Sequence, residues 1–265
     1  MKRFIPFLKA DPVVSVVRLA GSIGAGPRSP LSDEAMGPVL ERAFRRGKPA
    51  AVALVLNSPG GSPVQSALIA ARIRRLAADK KVPVHAFVED VAASGGYWLA
   101  AAADDIWADA GSIVGSIGVI SAGFGAHVAL ARQGVERRVY TSADSKSMLD
   151  PFLPEKPEDV ARLKELLGGL HETFVAYVRS RRGARLADDP DLFTGRFWLG
   201  PQAHQLGLID GIGHLEPKLK QLYGDKVRLV RYGRRRSLFQ RFGATFAQDA
   251  LAGIEERAAF ARFGL

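Results

Sequence analysis

Short apolar runs alternate with helical patterns along the first half of the chain. Residues 13–19 are apolar and mostly β-branched and precede a glycine turn, which predicts a strand. Residues 51–56 form a continuous apolar run, typical of a strand covered on both faces in a parallel sheet. Similar runs predict further strands over 83–88, 106–108, 113–120 and 137–140.

Helical patterns separate these strands. Residues 33–46 follow Ser32 and carry acidic residues in the first turn, which favours a helix start. A second helix is predicted from Pro63 to about residue 78, with Ser62 as N-cap and Gln65 at the capping-box position. Shorter helices are predicted over 94–103 and 124–133. This alternation predicts an α/β fold of βαβ units with a mostly parallel sheet.

The pattern changes after Pro157. Residues 158–182 predict one long helix, which we expect to lie outside the core. Its apolar residues recur near helical spacing and indicate a face that contacts a neighbouring subunit: Leu163, Leu166, Leu167, Leu170, Phe174 and Val178. We divide the chain into an N-terminal arm (1–12), a catalytic α/β core (13–157), a helical extension with a closing segment (158–225) and a basic amphipathic tail (226–265).

Composition narrows the class of protein. The 265 residues are 47% hydrophobic and 24% charged, which is typical of a folded globular chain. The absence of cysteine excludes disulfides, a thiolate nucleophile and cysteine-ligated metal sites. Two uncharged stretches, 49–71 and 110–131, are interrupted by proline, glycine and polar residues, so we do not interpret them as membrane spans. The apolar run 4–8 is too short for a signal peptide, and we expect a soluble, cytoplasmic protein.

The net charge of +10 is concentrated near the C-terminus. Residues 226–241 contain seven basic residues and no acidic one. We interpret this cluster first as a solvated charged face; the alternative is peripheral contact of the tail with the anionic inner membrane surface, and we do not expect nucleic-acid binding. The apolar residues of 237–265 indicate a helix packed on its own protein or, alternatively, one lying on a membrane.

Ser94 is the candidate nucleophile. It lies in Ala-Ala-Ser-Gly-Gly-Tyr-Trp (92–98), after a predicted strand and before a predicted helix. A serine at a helix start faces free backbone N–H groups, which suit a developing oxyanion. The alternative is a plain N-cap, the commonest role of serine at this position.

A serine nucleophile needs a base, and two residue types are available. Of the five histidines, His127 lies in a glycine-rich apolar stretch and His171 on the long predicted helix, and neither has a neighbouring acid at a telling spacing, although sequence does not exclude a Ser-His-Asp triad. Lys146 is the only lysine between Lys81 and Lys156. A lysine acts as a base when burial favours its neutral form, and Met148, Leu149 and Phe152 could cover it. The alternative is a surface lysine in a polar loop.

Six segments, in order, resemble the bacterial signal peptide peptidase A family, and the resemblance extends over about residues 13–222. They are Asn-Ser-Pro-Gly-Gly (57–61), Ala-Ala-Ser-Gly-Gly-Tyr (92–97), Gly-Ser-Ile-Gly-Val (115–119), Lys146 before Met-Leu-Asp-Pro-Phe (148–152), Thr-Gly-Arg-Phe-Trp (194–198) and Leu-Gly-Leu-Ile-Asp (206–210).

The resemblance implies a Clp protease/crotonase-type fold of repeated ββα units and a serine endopeptidase that cleaves short, extended, mainly apolar peptides, such as released signal peptides. It also implies a homo-oligomer in which nucleophile and base meet across subunit borders, with neither metal nor cofactor. The residues carried over are Ser94 as nucleophile, Lys146 as base, Ser116 as the serine that holds the lysine, Gly61 and Gly95 as the oxyanion hole, and Gly60 and Gly115 as substrate-binding glycines.

Two other functions fit the same fold. A crotonase-type acyl-CoA enzyme shares the oxyanion hole but needs carboxylates at the chemistry, and none is next to Gly60 and Gly61 in the sequence. A non-catalytic, membrane-associated scaffold would use the basic segment as its contact surface. Binding of a CoA thioester favours the first alternative, and failure of Ser94 to react with a fluorophosphonate favours the second.

Overall fold

One eight-stranded sheet organises the computed structural model, which describes residues 11–25, 31–233 and 257–265. Its main path runs β6-β5-β3-β2-β1-β8, while β4 pairs with β3 and β7 pairs with β4. All pairings are parallel except β5 with β6, which confirms the predicted α/β class. The strands are β1 (Val13–Ala20), β2 (Ala51–Ser58), β3 (Val84–Ala93), β4 (Asp105–Ala108), β5 (Ile113–Gly115), β6 (Phe197–Leu199), β7 (Gly211–Ile212) and β8 (Arg228–Tyr232).

Helices cover the sheet and connect its strands. Apolar residues of β1, β2 and β3 form the core with the helices that follow them, and residues 51–56 of β2 are buried on both faces, as the continuous apolar run predicts. The helices are α1 (Asp33–Arg45), α2 (Pro63–Lys80), α3 (Gly95–Ala100), α4 (His127–Arg132), α5 (Pro157–Arg182), α6 (Gly200–Gln205) and α7 (Leu215–Tyr223), with 3₁₀ turns at Asp144–Ser147 and Gly183–Arg185.

The predicted caps of α1 and α2 form, with one difference. The Ser32 hydroxyl accepts a hydrogen bond from the Ala35 N–H, and the Ser62 hydroxyl accepts one from the Gln65 N–H. The Gln65 side chain does not reach back to Ser62, as a capping box requires. It accepts instead from the Asp33 N–H at 2.9 Å, because the starts of α1 and α2 lie side by side.

The segment between β5 and α5 departs from the predicted strands. The strand expected over 113–120 ends at Gly115, and the strand expected over 137–140 is absent, so the second prediction is wrong. Residues 119–156, here called the 119–156 arm, contribute no strand to the sheet. The apolar residues of 137–140 therefore have no ladder partner, and local β propensity alone does not hold a strand.

Helix α5 belongs partly to the core. Phe174 and Val178 are buried, and the Trp98 ring stacks on Phe174 at a centroid distance of 4.6 Å. Leu166 and Leu170, in the first half, are exposed. The expectation that the whole helix lies outside the core is therefore wrong for its second half.

The ends of the chain fall largely outside the described residues. The predicted N-terminal arm is described only at residues 11 and 12, and most of the basic tail is not described. The tail assigned to 226–265 begins with β8, which pairs with β1 and belongs to the sheet. Across the described residues, none of the helices combines the length and apolar character that a membrane crossing needs.

Candidate active site

Ser94 occupies a sharp turn between β3 and α3. Its backbone has φ +51° and ψ −122°, a conformation that costs a non-glycine residue about 1–2 kcal/mol. The turn is held by the Ser94 N–H, which donates to the Gly115 carbonyl at 2.8 Å, and by the Ser94 carbonyl, which accepts from the Trp98 N–H at 3.1 Å. The Ser94 side chain makes no capping hydrogen bond, so the plain N-cap interpretation does not hold.

A second turn, residues 58–61, lies directly against the Ser94 turn. Gly60 has φ +102°, and a Cβ at this position would lie 2.8 Å from both the Ser94 Cβ and the Gly95 nitrogen. Only glycine permits such an approach of two backbones. The turn that follows β2 and the turn that follows β3 therefore form one surface at the carboxyl edge of the sheet.

The peptide unit between Gly60 and Gly61 is oriented by Ile23. The Gly60 carbonyl accepts from the Ile23 N–H at 2.8 Å. Because C=O and N–H point in opposite directions across a trans peptide, the Gly61 N–H points away from Ile23. It has no acceptor among the described residues, and its nitrogen would lie 3.4 Å from a Cβ on Gly95. Gly61 and Gly95 thus bring two backbone amides together beside Ser94.

The two turns open into a cavity of about 410 Å³. Four predicted site residues line it: Ser94, Ser116, Gly60 and Gly61. The rest of the lining is small or apolar for the most part and contains no carboxylate: Ser22, Pro59, Pro63, Gly118, Val119, Ile120, Thr194, Gly195, Ala259 and Arg262. The lack of a carboxylate disfavours the crotonase-type acyl-CoA alternative.

The segment 257–265 contacts this site through three of its residues. Ala259 and Arg262 line the cavity, and the Phe263 ring meets the Phe197 ring edge-on at 5.2 Å. The sequence pattern indicated a packing arm but did not indicate where it packs, because nothing local marks its partner. The preceding residues, 234–256, lie outside the described part of the chain.

Ser116 and Gly115 have different places in the site. Ser116 is 9% exposed, has φ +53° and donates its N–H to the Arg196 carbonyl at 2.7 Å. Gly115 does not line the cavity. The φ of Gly115 is +115°, and a Cβ at this position would lie 2.9 Å from the Trp198 ring. Gly115 therefore lies between the Trp198 ring and the Ser94 turn, and its carbonyl accepts the hydrogen bond from the Ser94 N–H. Gly115 supports the turn from behind.

Lys146 lies apart from the cavity within one copy of the chain. It belongs to the 3₁₀ turn Asp144–Ser147, it is exposed, and its side chain has no hydrogen bond or ion pair with the described residues. The turn is attached to α5 through a hydrogen bond from Arg162 to the Ser145 hydroxyl. A single copy therefore brings together Ser94, Ser116 and the amides of Gly61 and Gly95, but not Lys146.

Histidine does not replace the lysine. None of the five histidines lines the cavity. Two of them do pair with acids elsewhere: His85 contacts Asp105 at 2.8 Å, and His214 contacts Asp109 at 2.7 Å. A Ser-His-Asp triad is therefore not assembled at Ser94.

Tyr97, in the helix that follows the Ser94 turn, anchors that turn in the core. It is fully buried in α3, and its hydroxyl donates to the Leu208 carbonyl at 2.8 Å. Burial raises the pKa of Tyr97, so the residue acts as a neutral donor.

Among the described residues, no cluster of histidine and acidic side chains is arranged to hold a metal ion.

Comparisons with known proteins match the chain to one peptidase family and to several longer proteins. The sequence profile of Peptidase family S49 matches residues 76–226, more than half of the chain. A protein of Brucella melitensis named Na(+)/H(+) antiporter NhaA is 47% identical over 100% of this chain, which spans 39% of that longer protein. A putative signal peptide peptidase SppA of Enterococcus faecium is 34% identical over 66% of this chain, which spans 51% of it.

A solved structure shares the fold. A membrane-bound stomatin-specific protease in complex with a substrate peptide matches 93% of this chain and 99% of its own with a TM-score of 0.54. The sequence identity is 15%, so this likeness concerns the fold alone.

Proposed function

This chain belongs to peptidase family S49, and we propose that it is a serine-type peptidase with Ser94 as its nucleophile and Lys146 as its general base. The observation that carries the proposal is the uncapped Ser94 side chain in a strained turn, beside the amides of Gly61 and Gly95. A nucleophile needs a hydroxyl that is free to react and donors already placed for the oxyanion.

Each residue then has a defined role in the reaction. Ser94 Oγ attacks the scissile carbonyl carbon while the neutral Lys146 amine takes the hydroxyl proton, and the carbonyl oxygen becomes an oxyanion bound by the Gly61 and Gly95 N–H groups. Lys146 returns the proton to the leaving amine as the tetrahedral intermediate collapses to an acyl-enzyme. Lys146 next activates a water that releases the second product. The Ser116 hydroxyl orients the lysine.

A neighbouring copy supplies the lysine in this proposal. The 119–156 arm carries Lys146 and exposes large apolar side chains, with Phe124 95% and Tyr140 91% exposed. Exposed aromatic residues of this size mark contact surfaces. Docking of the arm on a second copy buries these rings and places the lysine at the partner's cavity. A buried, desolvated amine favours its neutral form, which is what a base requires.

The substrates that fit best are short, extended, mainly apolar peptides, such as released signal peptides. The cavity wall is formed largely by glycine, proline, valine and isoleucine and has no acidic side chain. The similarity to a protein named as a signal peptide peptidase supports the same class.

Substitution of the two proposed catalytic residues tests the function. Ser94→Ala and Lys146→Ala should each lower the hydrolysis of a fluorogenic apolar peptide by about 10⁴-fold or more, since each removes a member of one catalytic unit. Lys164→Ala is the control, because Lys164 is also an exposed lysine but lies on α5, and this variant should keep full activity. Melting curves check folding. Full activity of either catalytic variant contradicts the assignment of that residue.

A further inference from the structure

A buried serine connects the turns that surround the nucleophile. Ser58 ends β2 and is fully buried. Its hydroxyl donates to the Gly21 carbonyl at 2.7 Å and accepts from the Gly60 N–H at 3.2 Å. Its carbonyl lies so close to Gly96 that a Cβ on that glycine would overlap it. Ser58 therefore contacts the turns that follow β1, β2 and β3.

We propose that Ser58 is a positioning residue that aims the Gly61 N–H at the substrate oxyanion; this inference rests on the proposed function. The Gly61 N–H belongs to the peptide unit that begins at Gly60. Gly60 is a glycine with positive φ, and its backbone has little intrinsic preference. Two bonds fix it: Ser58 Oγ holds its N–H, and the Ile23 N–H holds its carbonyl.

The second bond of Ser58 fixes the turn to the sheet. The Gly21 N–H donates to the Asn57 carbonyl at 3.0 Å, and the Ser58 hydroxyl donates to the Gly21 carbonyl. These two hydrogen bonds of Gly21 link the ends of β1 and β2. Removal of the hydroxyl leaves a buried carbonyl and a buried N–H without a partner, and the Gly60 peptide gains a way to relax by rotation. Rotation there turns the Gly61 N–H away from Ser94.

The effect should appear in the transition state rather than in substrate binding. An oxyanion donor contacts charge that develops only during the reaction, so its loss lowers kcat and leaves KM nearly unchanged. Because removal of an oxyanion donor costs about 10²–10³-fold in kcat, a misaligned donor in Ser58→Ala should cost roughly 10–100-fold. The affinity for a peptide aldehyde, which forms a tetrahedral adduct, should fall by a similar factor.

Ser112 provides a matched control. It is also buried, and its hydroxyl likewise accepts a backbone N–H, from Asp109 at 2.9 Å, and donates to a backbone carbonyl, that of Glu89. It does not line the cavity. Ser112→Ala should lose a comparable amount of stability in a melting experiment while kcat and the aldehyde affinity remain within about twofold of the wild type.

The experiment compares kcat, KM, aldehyde affinity and melting temperature for Ser58→Ala, Ser112→Ala and Ser94→Ala. A drop in kcat and aldehyde affinity for Ser58→Ala alone, at unchanged KM, supports the proposal. Equal kcat for the two buried-serine variants overturns it while leaving the function intact, provided that Ser94→Ala is inactive. An active Ser94→Ala instead overturns the proposed function. If Ser58→Ala does not fold, Ser58→Cys, with a weaker hydrogen bond, should show a lowered kcat, and wild-type kcat in that variant overturns the proposal.

Discussion

Ser94 and Lys146 differ in how the chain holds them. The Ser94 turn lies between two strand ends, with backbone bonds to Gly115 on one side and close contact with Gly60 on the other. Lys146 lies on the 119–156 arm, which forms no strand and leaves Phe124 and Tyr140 largely exposed. One copy thus fixes the proposed nucleophile and the proposed oxyanion donors before any substrate arrives, whereas the proposed base stays in solvent.

This difference separates two requirements of the reaction. Electrostatic stabilisation of an oxyanion depends on donors that need no reorganisation, and the sheet supplies that rigidity. A lysine base depends on desolvation, which an exposed arm supplies only when another surface covers it. Activity should therefore depend on assembly, while the oxyanion site should be complete in each copy.

The largest expected effect is the rescue of activity on mixing two inactive variants. If nucleophile and base come from different copies, Ser94→Ala and Lys146→Ala mixed at equal amounts should form junctions that carry both native residues. Random association gives about a quarter of wild-type activity, because each junction needs one intact residue from each partner. Peptide hydrolysis is measured after the two variants are unfolded and refolded together.

The double variant Ser94→Ala/Lys146→Ala, mixed with wild-type chain, is the control for this experiment. It tests subunit exchange, because a site built across two copies then loses about half of the activity of the wild-type chains, while each single variant refolded alone gives the background from contaminating active enzyme. A mixture that stays inactive, although sedimentation shows mixed oligomers, would place nucleophile and base in the same copy and remove the contrast between the two regions.

A second expected effect tests the rigidity of the two turns that meet at Ser94 and Gly60. Gly60→Ala should lower kcat by about 10²-fold or more, because the new Cβ would lie 2.8 Å from the Ser94 Cβ and the Gly95 nitrogen and must push the two turns apart. It should also destabilise the fold by several kcal/mol, roughly the sum of overpacking and positive-φ strain. Kinetics and denaturant unfolding measure the two losses.

Gly47→Ala is matched to this change in backbone but not in surroundings. Gly47 has φ +79°, and a Cβ there would meet nothing within 4 Å. It should cost about 1 kcal/mol of stability from strain alone and leave kcat unchanged. Equal kinetic losses in the two glycine variants would mean that Gly60 affects the site only through general stability.

The same contrast describes what the sequence could predict. Strands β1 and β2 and helices α1 and α2 follow from local patterns and caps, because each is formed by residues that are close in sequence. The turn at Ser94 is predictable for the same reason, since a strand, a serine and two glycines stand in one short segment. The site residues that share the cavity come from motifs at strand ends, where parallel strands converge.

Long-range partners could not be read from the sequence. Residues 137–140 have β propensity but no strand beside them, and only the fold decides that. Phe174 and Val178 repeat with the same spacing as the exposed Leu166 and Leu170, yet only the former are buried, with Phe174 stacked on the Trp98 ring. Ser58 was hidden inside a recognised motif, because a hydroxyl that joins Gly21 to Gly60 has no signature in linear order.

The smallest expected effect concerns the ion pair that joins helices α1 and α2. Asp33 and Arg72 form a two-pronged ion pair between α1 and α2, with distances of 2.7 and 2.6 Å. The hydrogen bond from Arg72 lowers the pKa of Asp33 below its usual value of 3.8. The pair therefore stabilises the fold above about pH 4, and this contribution disappears as the pH falls through the lowered pKa. Asp33→Asn should cost about 1 kcal/mol near neutral pH.

Glu34→Gln isolates the ion pair from the charge of the helix start. Both acids lie in the first turn of α1, but Glu34 is exposed and forms no ion pair with the described residues, so its variant loses only the interaction with the helix dipole. Urea unfolding at a series of pH values should show that Asp33→Asn alone flattens the loss of stability below about pH 4. Since neither residue lines the cavity or belongs to the 119–156 arm, kcat should stay unchanged in both variants. A drop in kcat for Asp33→Asn alone would mean that α1 and α2 transmit their packing to the turns around Ser94.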